Sequence, residues 1–329
     1  MGKELRIIYG EWTKELPELL RDEREVFVVC DSSLRHLGEK ITGAGKVTGI
    51  FYVQTAESLK TMETVLEICR AMLQTGVSRK AILLAVGGGI TTDVAGFAAS
   101  IYKRGIRYAN VPTTLLGMVD AAIGGKTGVN LDGYKNMLGS FRMPEFVLID
   151  TGFTATLGQQ DLRAGRAEMF KTFLIADAGA FRALAEGTEP LEKLIEKAVE
   201  IKARIVAEDP EEMKGRRILL NLGHSFAHAI ESVSGGEICH GDAVSMGLVL
   251  AARLADRLAG KGNRMEAVVR EALEKNGLPT DCPYPAGELL RAMSKDKKGR
   301  DGKVEFVLPE RPGKAATRLI PVEEAIDLI

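Results

Sequence analysis

Ala81-Ile82-Leu83-Leu84-Ala85-Val86-Gly87-Gly88-Gly89-Ile90-Thr91-Thr92-Asp93 is the stretch that decides the fold. A short apolar run passes straight into three glycines and then into a segment of helical spacing. The pattern predicts a buried strand, a tight turn and the start of a helix. Glycines at such a turn let backbone approach a ligand closely, and the helix start offers unpaired N–H groups to a phosphate. The dinucleotide fingerprint G-x-G-x-x-G would need glycine at position 92, where Thr92 stands. On its own, the turn therefore suits either an anionic ligand or a plain strand-to-helix corner.

Outward from this turn the same grammar repeats. Val26-Phe27-Val28-Val29-Cys30-Asp31 and Gly49-Ile50-Phe51-Tyr52-Val53 read as strands upstream, with a helix over 58–74 between them and the glycine turn. Tyr108-Ala109-Asn110-Val111-Pro112 and Phe146-Val147-Leu148-Ile149-Asp150 read as strands downstream. Strands alternating with helices predict a parallel sheet covered by helices, a Rossmann-like α/β domain over 1–152. Past about residue 150 the strand signal nearly stops. Helical spacing runs over 159–186, 190–208, 217–233, 242–259 and 264–276, with one late strand over 303–308. A mostly α-helical domain over 153–329 is the expectation.

Composition narrows the function classes. The 329 residues carry 44 Lys+Arg against 45 Asp+Glu, a formal net charge of -1, with 45% hydrophobic residues. That balance argues against a nucleic-acid binder, which carries a basic excess. No apolar run approaches the roughly 18 residues of a membrane span. The start Met1-Gly2-Lys3-Glu4-Leu5-Arg6 lacks the apolar core of a secretory signal, and the expected compartment is the cytoplasm. Cys30, Cys69, Cys239 and Cys282 lie far apart without a Cys-x-x-Cys, as reduced thiols do.

Chemistry-bearing residues cluster. Three of the 4 histidines, His224, His228 and His240, fall close together, while His36 stands apart. His224 and His228 lie one helical turn apart, but Ser225 occupies the place where a zincin H-E-x-x-H has its glutamate. Catalytic zinc takes three protein ligands and keeps one position open, so two imidazoles and a carboxylate would serve. Glu168, in an apolar helix, is the candidate carboxylate, with Lys171 one turn on. Arg217, Asn221, His224 and His228 are spaced four, three and four apart, which on a single helix makes one polar stripe, with Lys202 on the helix before it. Ala122-Ile123-Gly124-Gly125-Lys126-Thr127-Gly128 resembles a P-loop, but Asp120 stands where Walker A requires glycine. Lys126 and Lys135-Asn136 still place cations on glycine-rich backbone, which suits an anionic ligand; the plain alternative is a solvated loop. Asp31, closing a strand, sits where a ribose-binding acid commonly lies.

Taken in order, these segments resemble the 3-dehydroquinate synthase family over about residues 26 to 310. Its carriers are Gly87-Gly88-Gly89 with Asp93, Lys103-Arg104-Gly105, Val111-Pro112-Thr113-Thr114, Gly124-Gly125-Lys126-Thr127, Lys135-Asn136, Ala167-Glu168 with Lys171, Asn221-Leu222-Gly223-His224, His228-Ala229-Ile230-Glu231, His240-Gly241 and Asp296-Lys297-Lys298. The resemblance implies NAD and one divalent metal, zinc or cobalt, in a cleft, with Glu168, His224 and His240 as metal ligands. It implies NAD contacts from Asp31, Glu57, Lys60, Gly88, Gly89, Asp93, Thr113, Thr114, Leu116, Asp120, Lys126, Lys135 and Thr156. Arg104, Asp120, Lys126, Asn136, Lys171, Lys202, Arg217, Asn221, His228 and Lys297 or its neighbour Lys298 would hold a phosphorylated sugar acid. The implied reaction turns 3-deoxy-D-arabino-heptulosonate 7-phosphate into 3-dehydroquinate, and the implied partner is a second copy of the chain. Thr92, Ala56, Ala121 and Asp161 depart from residues common in the family. Another sugar-phosphate cyclase and a metal-dependent polyol dehydrogenase are the alternatives.

Overall fold

The computed structural model describes residues 5–43, 46–260, 264–296 and 302–329, the side chains of 294–296 excepted. The chain forms two compact units, Met1–Gly158 and Gln159–Ile329. The division lies beyond the expected 152/153 because a 3-10 helix, Thr151–Thr156, follows the last strand and stays with the first unit.

The first unit runs β1 (Ile7–Tyr9), α1 (Trp12–Leu19), β2 (Val26–Asp31), α2 (Arg35–Thr42), β3 (Val47–Val53), α3 (Met62–Gln74), β4 (Ile82–Gly87), α4 (Gly89–Ile101), β5 (Arg107–Pro112), β6 (Lys126–Leu131), β7 (Tyr134–Phe141) and β8 (Val147–Ile149). Six strands form a parallel sheet in the order β1-β8-β5-β4-β2-β3. Both faces are buried, which is why its strands read as unbroken apolar runs rather than alternating ones. Phe27, Val29, Leu83 and Ala85 point to one face, into a core with α3 and α4. Val28, Cys30, Leu84 and Val86 point to the other, against Leu16 of α1 and Leu37 and Ile41 of α2. From the adjacent strands β2 and β4 the chain proceeds in opposite directions across the sheet, so their carboxyl ends form the topological switch point.

The second unit runs α5 (Gln159–Ala176), α6 (Ala178–Glu186), α7 (Leu191–Glu208), α8 (His224–Val233), α9 (His240–Ala259), α10 (Met265–Lys275), α11 (Ala286–Asp296), β9 (Lys303–Arg311), β10 (Lys314–Pro321) and α12 (Val322–Asp327). α9 is apolar nearly all round and buried at its centre, with Val244, Leu248, Val249, Ala252 and Leu254 inaccessible. β9 and β10 form an antiparallel hairpin whose Phe306 ring lies 5.3 Å from that of Phe226 on α8. No helix among the described residues is long and apolar enough to cross a membrane.

Three sequence expectations change. The helix over 159–186 is two helices, broken where the Asp177 carboxylate accepts the Ala180 N–H at 2.9 Å and caps α6. The helix over 217–233 is also two pieces, a 3-10 helix Arg217–Asn221 and then α8, separated by Gly223 in a left-handed conformation (φ 77). The glycine-rich segment around Lys126 is not a loop but the hairpin β6–β7, and β10 has no counterpart in the sequence reading.

Candidate active site

Glycines bring the ligand-bearing helices together. A Cβ on Gly223 would lie 2.9 Å from the Leu248 backbone nitrogen of α9, so only glycine lets the start of α8 rest on that helix. A Cβ on Gly241 would lie 2.2 Å from the Cα of Ala164, so α9 begins in backbone contact with α5. His224 opens α8, His240 opens α9, and Glu168 faces both from α5.

One carboxylate oxygen, Glu168 Oε1, lies 3.2 Å from His240 Nε2 and 3.5 Å from His224 Nε2. The three ligand atoms fall within 4.8 Å of one another. Tetrahedral zinc with bonds of about 2.1 Å separates its ligand atoms by about 3.4 Å. The opposite sides of the rings fix the tautomers. His224 Nδ1 lies 3.2 Å from the Leu222 carbonyl, which only accepts, and His240 Nδ1 lies 3.2 Å from Glu231 Oε1. With both Nδ1 atoms protonated, both Nε2 lone pairs aim at a carboxylate oxygen. That arrangement is repulsive unless a cation sits among the three atoms, and it is the outer shell that metal-bound imidazoles need. The residues therefore fit a divalent metal.

Charge around the triad is arranged to match. Glu168 is fully buried and its second oxygen pairs with Lys171, itself 2% exposed. Burial alone would raise the Glu168 pKa; the Lys171 charge, then His224 and His240, hold it well below the usual carboxylate range. Burial would lower the His240 pKa, but hydrogen bonds to Glu168 and Glu231 raise it on balance.

Further cations are buried in this unit. Lys202 on α7 is 6% exposed and Arg217 2%. A turn built by Asp209 sets Arg217 in place. The Asp209 carboxylate accepts the backbone N–H groups of Met213, Lys214, Arg216 and Arg217 at 2.8–3.1 Å, and the Arg217 guanidinium donates to the Pro210 carbonyl at 2.7 Å. The stripe of Arg217, Asn221, His224 and His228 expected on one helix is therefore split. Arg217 is buried before the break, Asn221 is exposed and donates to Glu212 at 3.4 Å, and His228 is exposed with its ring 5.6 Å from His224. Lys297 and Lys298 lie outside the described residues.

In the first unit, Asp31 and the glycine turn stand at the carboxyl ends of β2 and β4, the switch point where open α/β sheets bind ligands. A Cβ on Gly88 would meet the Thr114 side chain at 3.1 Å and one on Gly89 would meet Ala121 at 3.1 Å, so the turn stays bare. The fingerprint position is filled by Thr92, whose hydroxyl donates to the Gly89 carbonyl at 3.0 Å. Asp31 accepts from Ser33 and Thr55. The bare turn, the helix start and the acid fit a dinucleotide. Lys60 is buried and donates to Asp93 at 2.5 Å and to Asn136 Oδ1 at 2.6 Å. Thr113 is buried, while Thr114, Leu116 and Asp120 are half-buried, Asp120 within a single π turn, Gly117–Ala121. Glu57, Arg104, Lys126, Lys135 and Thr156 are exposed, and Arg104 follows Lys103 in left-handed backbone (φ 65 and 48). Glu231, Asp209 and Asn130, whose amide donates to Glu57 Oε1 at 2.8 Å, carry structure here to which the sequence reading gave no role. A glutamate seven residues past His224, on the same helical face, was the available signal for the first; the other two gave none.

Residues 50–164 match the model of the 3-dehydroquinate synthase N-terminal domain, and 165–299 that of the C-terminal domain. A 3-dehydroquinate synthase of Pyrococcus abyssi is 43% identical over 84% of this chain and 83% of its own length. One of Pyrococcus furiosus is 41% identical over 94% and 93%. A 2-epi-5-epi-valiolone synthase from Streptomyces hygroscopicus, solved with NAD+ and Zn2+, superposes with a TM-score of 0.89 at 32% identity, covering 99% of this chain and 96% of that one. A 2-deoxy-scyllo-inosose synthase, at 24% identity and a TM-score of 0.83 over 100% and 99%, shares the fold. With a buried triad poised for a cation and both domain models matched in order, the chain belongs to the 3-dehydroquinate synthase family.

Proposed function

We propose that this enzyme converts 3-deoxy-D-arabino-heptulosonate 7-phosphate into 3-dehydroquinate and inorganic phosphate, using NAD without net consumption. The observation that carries the reading is the convergence of Glu168, His224 and His240 beside the buried Lys171. When bound, NAD would serve as a transient acceptor for the hydride on C5, and a divalent ion, zinc or cobalt, would supply Lewis acidity at the C4 and C5 hydroxyls. Glu168, His224 and His240 hold that ion, and Glu231 and the Leu222 carbonyl keep both imidazoles in the ligating tautomer. Asp31, Gly88, Gly89, Asp93 and Lys60 hold the dinucleotide.

The substrate carries a carboxylate and a phosphate. Lys202 and Arg217 are cations already desolvated, and a guanidinium matches either anion in bidentate fashion. Lys171 and His228 steady the phosphate and move protons at its oxygens. Once C5 is a ketone, the C6 proton is acidic. Phosphate leaves as the C6–H and C7–O bonds break, and the departing phosphate takes the proton itself. With C5 restored to an alcohol, the ring would open and aldol closure would complete the carbocycle. The enzyme acts in the cytoplasm as a homodimer in this reading, and sedimentation at micromolar concentration tests the dimer.

The deciding assay supplies heptulosonate phosphate with and without NAD and metal. Phosphate release that needs both, with no accumulation of NADH, supports the proposal. Stoichiometric NADH would make the protein a dehydrogenase. The likeness to the valiolone synthase supports a second reading, cyclisation of a sugar phosphate without a carboxylate. Turnover of a heptulose phosphate lacking the carboxylate, in place of the acid, would favour it.

A further inference from the structure

Asn130 is half-buried on β6, opposite an irregularity in β7. Val129 pairs with Leu138 and Leu131 with Tyr134, so one residue on β6 faces three on β7. The excess is a β-bulge, and it carries Asn136 in left-handed backbone (φ 55). A bulge leaves ladder groups without their usual partner and re-aims the side chain it carries. Here the Asn130 side chain replaces the missing ladder acceptor, taking the Asn136 N–H on Oδ1 at 2.9 Å. Its Nδ2 donates to Glu57 Oε1 at 2.8 Å and to the Glu57 carbonyl at 3.3 Å. Its backbone N–H donates to the Lys60 carbonyl at 2.8 Å. The re-aimed Asn136 receives the Lys60 ammonium at 2.6 Å, and Lys60 in turn holds Asp93.

We infer that Asn130 is a positioning residue: one amide ties the Glu57–Lys60 segment to the bulge, whose Asn136 receives the Lys60 ammonium, and so presets Glu57 and Lys60 for the dinucleotide. The inference rests on the proposed reading for NAD, and it adds a residue that acts through Glu57, Lys60 and Asn136. Asparagine suits the task because one side chain supplies an acceptor and a donor on opposite edges. Aspartate keeps the acceptor but sets a second carboxylate against Glu57. Alanine removes both bonds.

The test uses the full-length protein and two readouts, NAD affinity by calorimetry and amide exchange over 134–137 without ligand. Asn130→Ala should expose the Asn136 amide and weaken NAD about tenfold, the effect of about one net hydrogen bond of each kind. Asn130→Asp should keep the Asn136 amide protected yet weaken NAD similarly, and it serves should the alanine variant fail to fold. Steady-state kinetics should show the loss in KM for NAD more than in kcat. Unchanged NAD affinity in both variants overturns the inference, as does loss of protection in Asn130→Ala without loss of affinity. A wild-type protein that binds no NAD overturns the functional reading and this inference together.

Discussion

At the scale of single residues, the triad makes the sharpest claims. His240→Ala removes one ligand from a preformed set; bound metal by elemental analysis should fall to background while circular dichroism stays native. Glu231→Gln leaves all three ligands but weakens the acceptor on His240 Nδ1, and metal affinity should drop by about 10–100-fold. Retained affinity would mean that Glu231 is only a core residue. The scarcity of histidine, three of whose 4 copies sit close together, marked the region of the triad in the sequence, while the choice of His224 and His240 over His228 came from the family resemblance. Glu231 was not, because a buried glutamate looks the same in a string whether its partner is a solvated lysine or an imidazole nine residues away. The same blindness hid Asp209 and Asn130, whose partners are backbone groups that no side-chain pattern announces.

At the scale of elements, two short breaks matter more than the long helices. Gly223 separates a 3-10 helix from α8 in a left-handed conformation, against the backbone of α9. Gly223→Ala should cost about 1–3 kcal/mol for the conformation alone, and more for the collision, measured by urea unfolding. The break was missed because Leu219, Leu220, Leu222, Phe226 and Ile230 supply enough apolar residues to suggest one continuous helix. The Asp209 turn responds to acid. Burial would raise its pKa, but the N–H donors of Arg217, Lys214, Met213 and Arg216 lower it overall. Its contribution is therefore complete above the ordinary carboxylate range and lost as pH falls through the depressed value. Amide exchange at Met213 and Arg217 should rise over that acid interval, and Asp209→Asn should blunt the pH dependence. The β6–β7 hairpin escaped the sequence reading for another reason. Tyr134, Met137 and Phe141 of β7 are exposed, and the short buried run of β6 is Thr127-Gly128-Val129, with one large apolar residue, so neither strand shows the long apolar run that announced the parallel sheet.

For the whole molecule, the two units have separate cores and carry different chemistry. Ligands that bind only the native state stabilise by mass action, by about 2.7 kcal/mol at a hundredfold excess over Kd. NAD should slow amide exchange in β2, β4 and α4, and metal should slow it in α5, α8 and α9. Metal that protects β4 as strongly as α8 would refute that assignment. The α/β class could be read from strand spacing, because fully buried parallel strands are contiguous in sequence. The order β1-β8-β5-β4-β2-β3 could not, since β1 and β8 join from opposite ends of the unit.

Glu168 and His240 stand 72 residues apart in the chain. The two histidines lie close together in sequence, but the carboxylate that completes the set comes from a helix far upstream, so α5, α8 and α9 must all be present before the three ligand atoms can meet. The helical unit must first pack, and only then does a coordination point exist. A complete coordination point is accordingly a property of the folded unit, and the folded apoprotein should take up zinc without unfolding, which titration followed by circular dichroism checks.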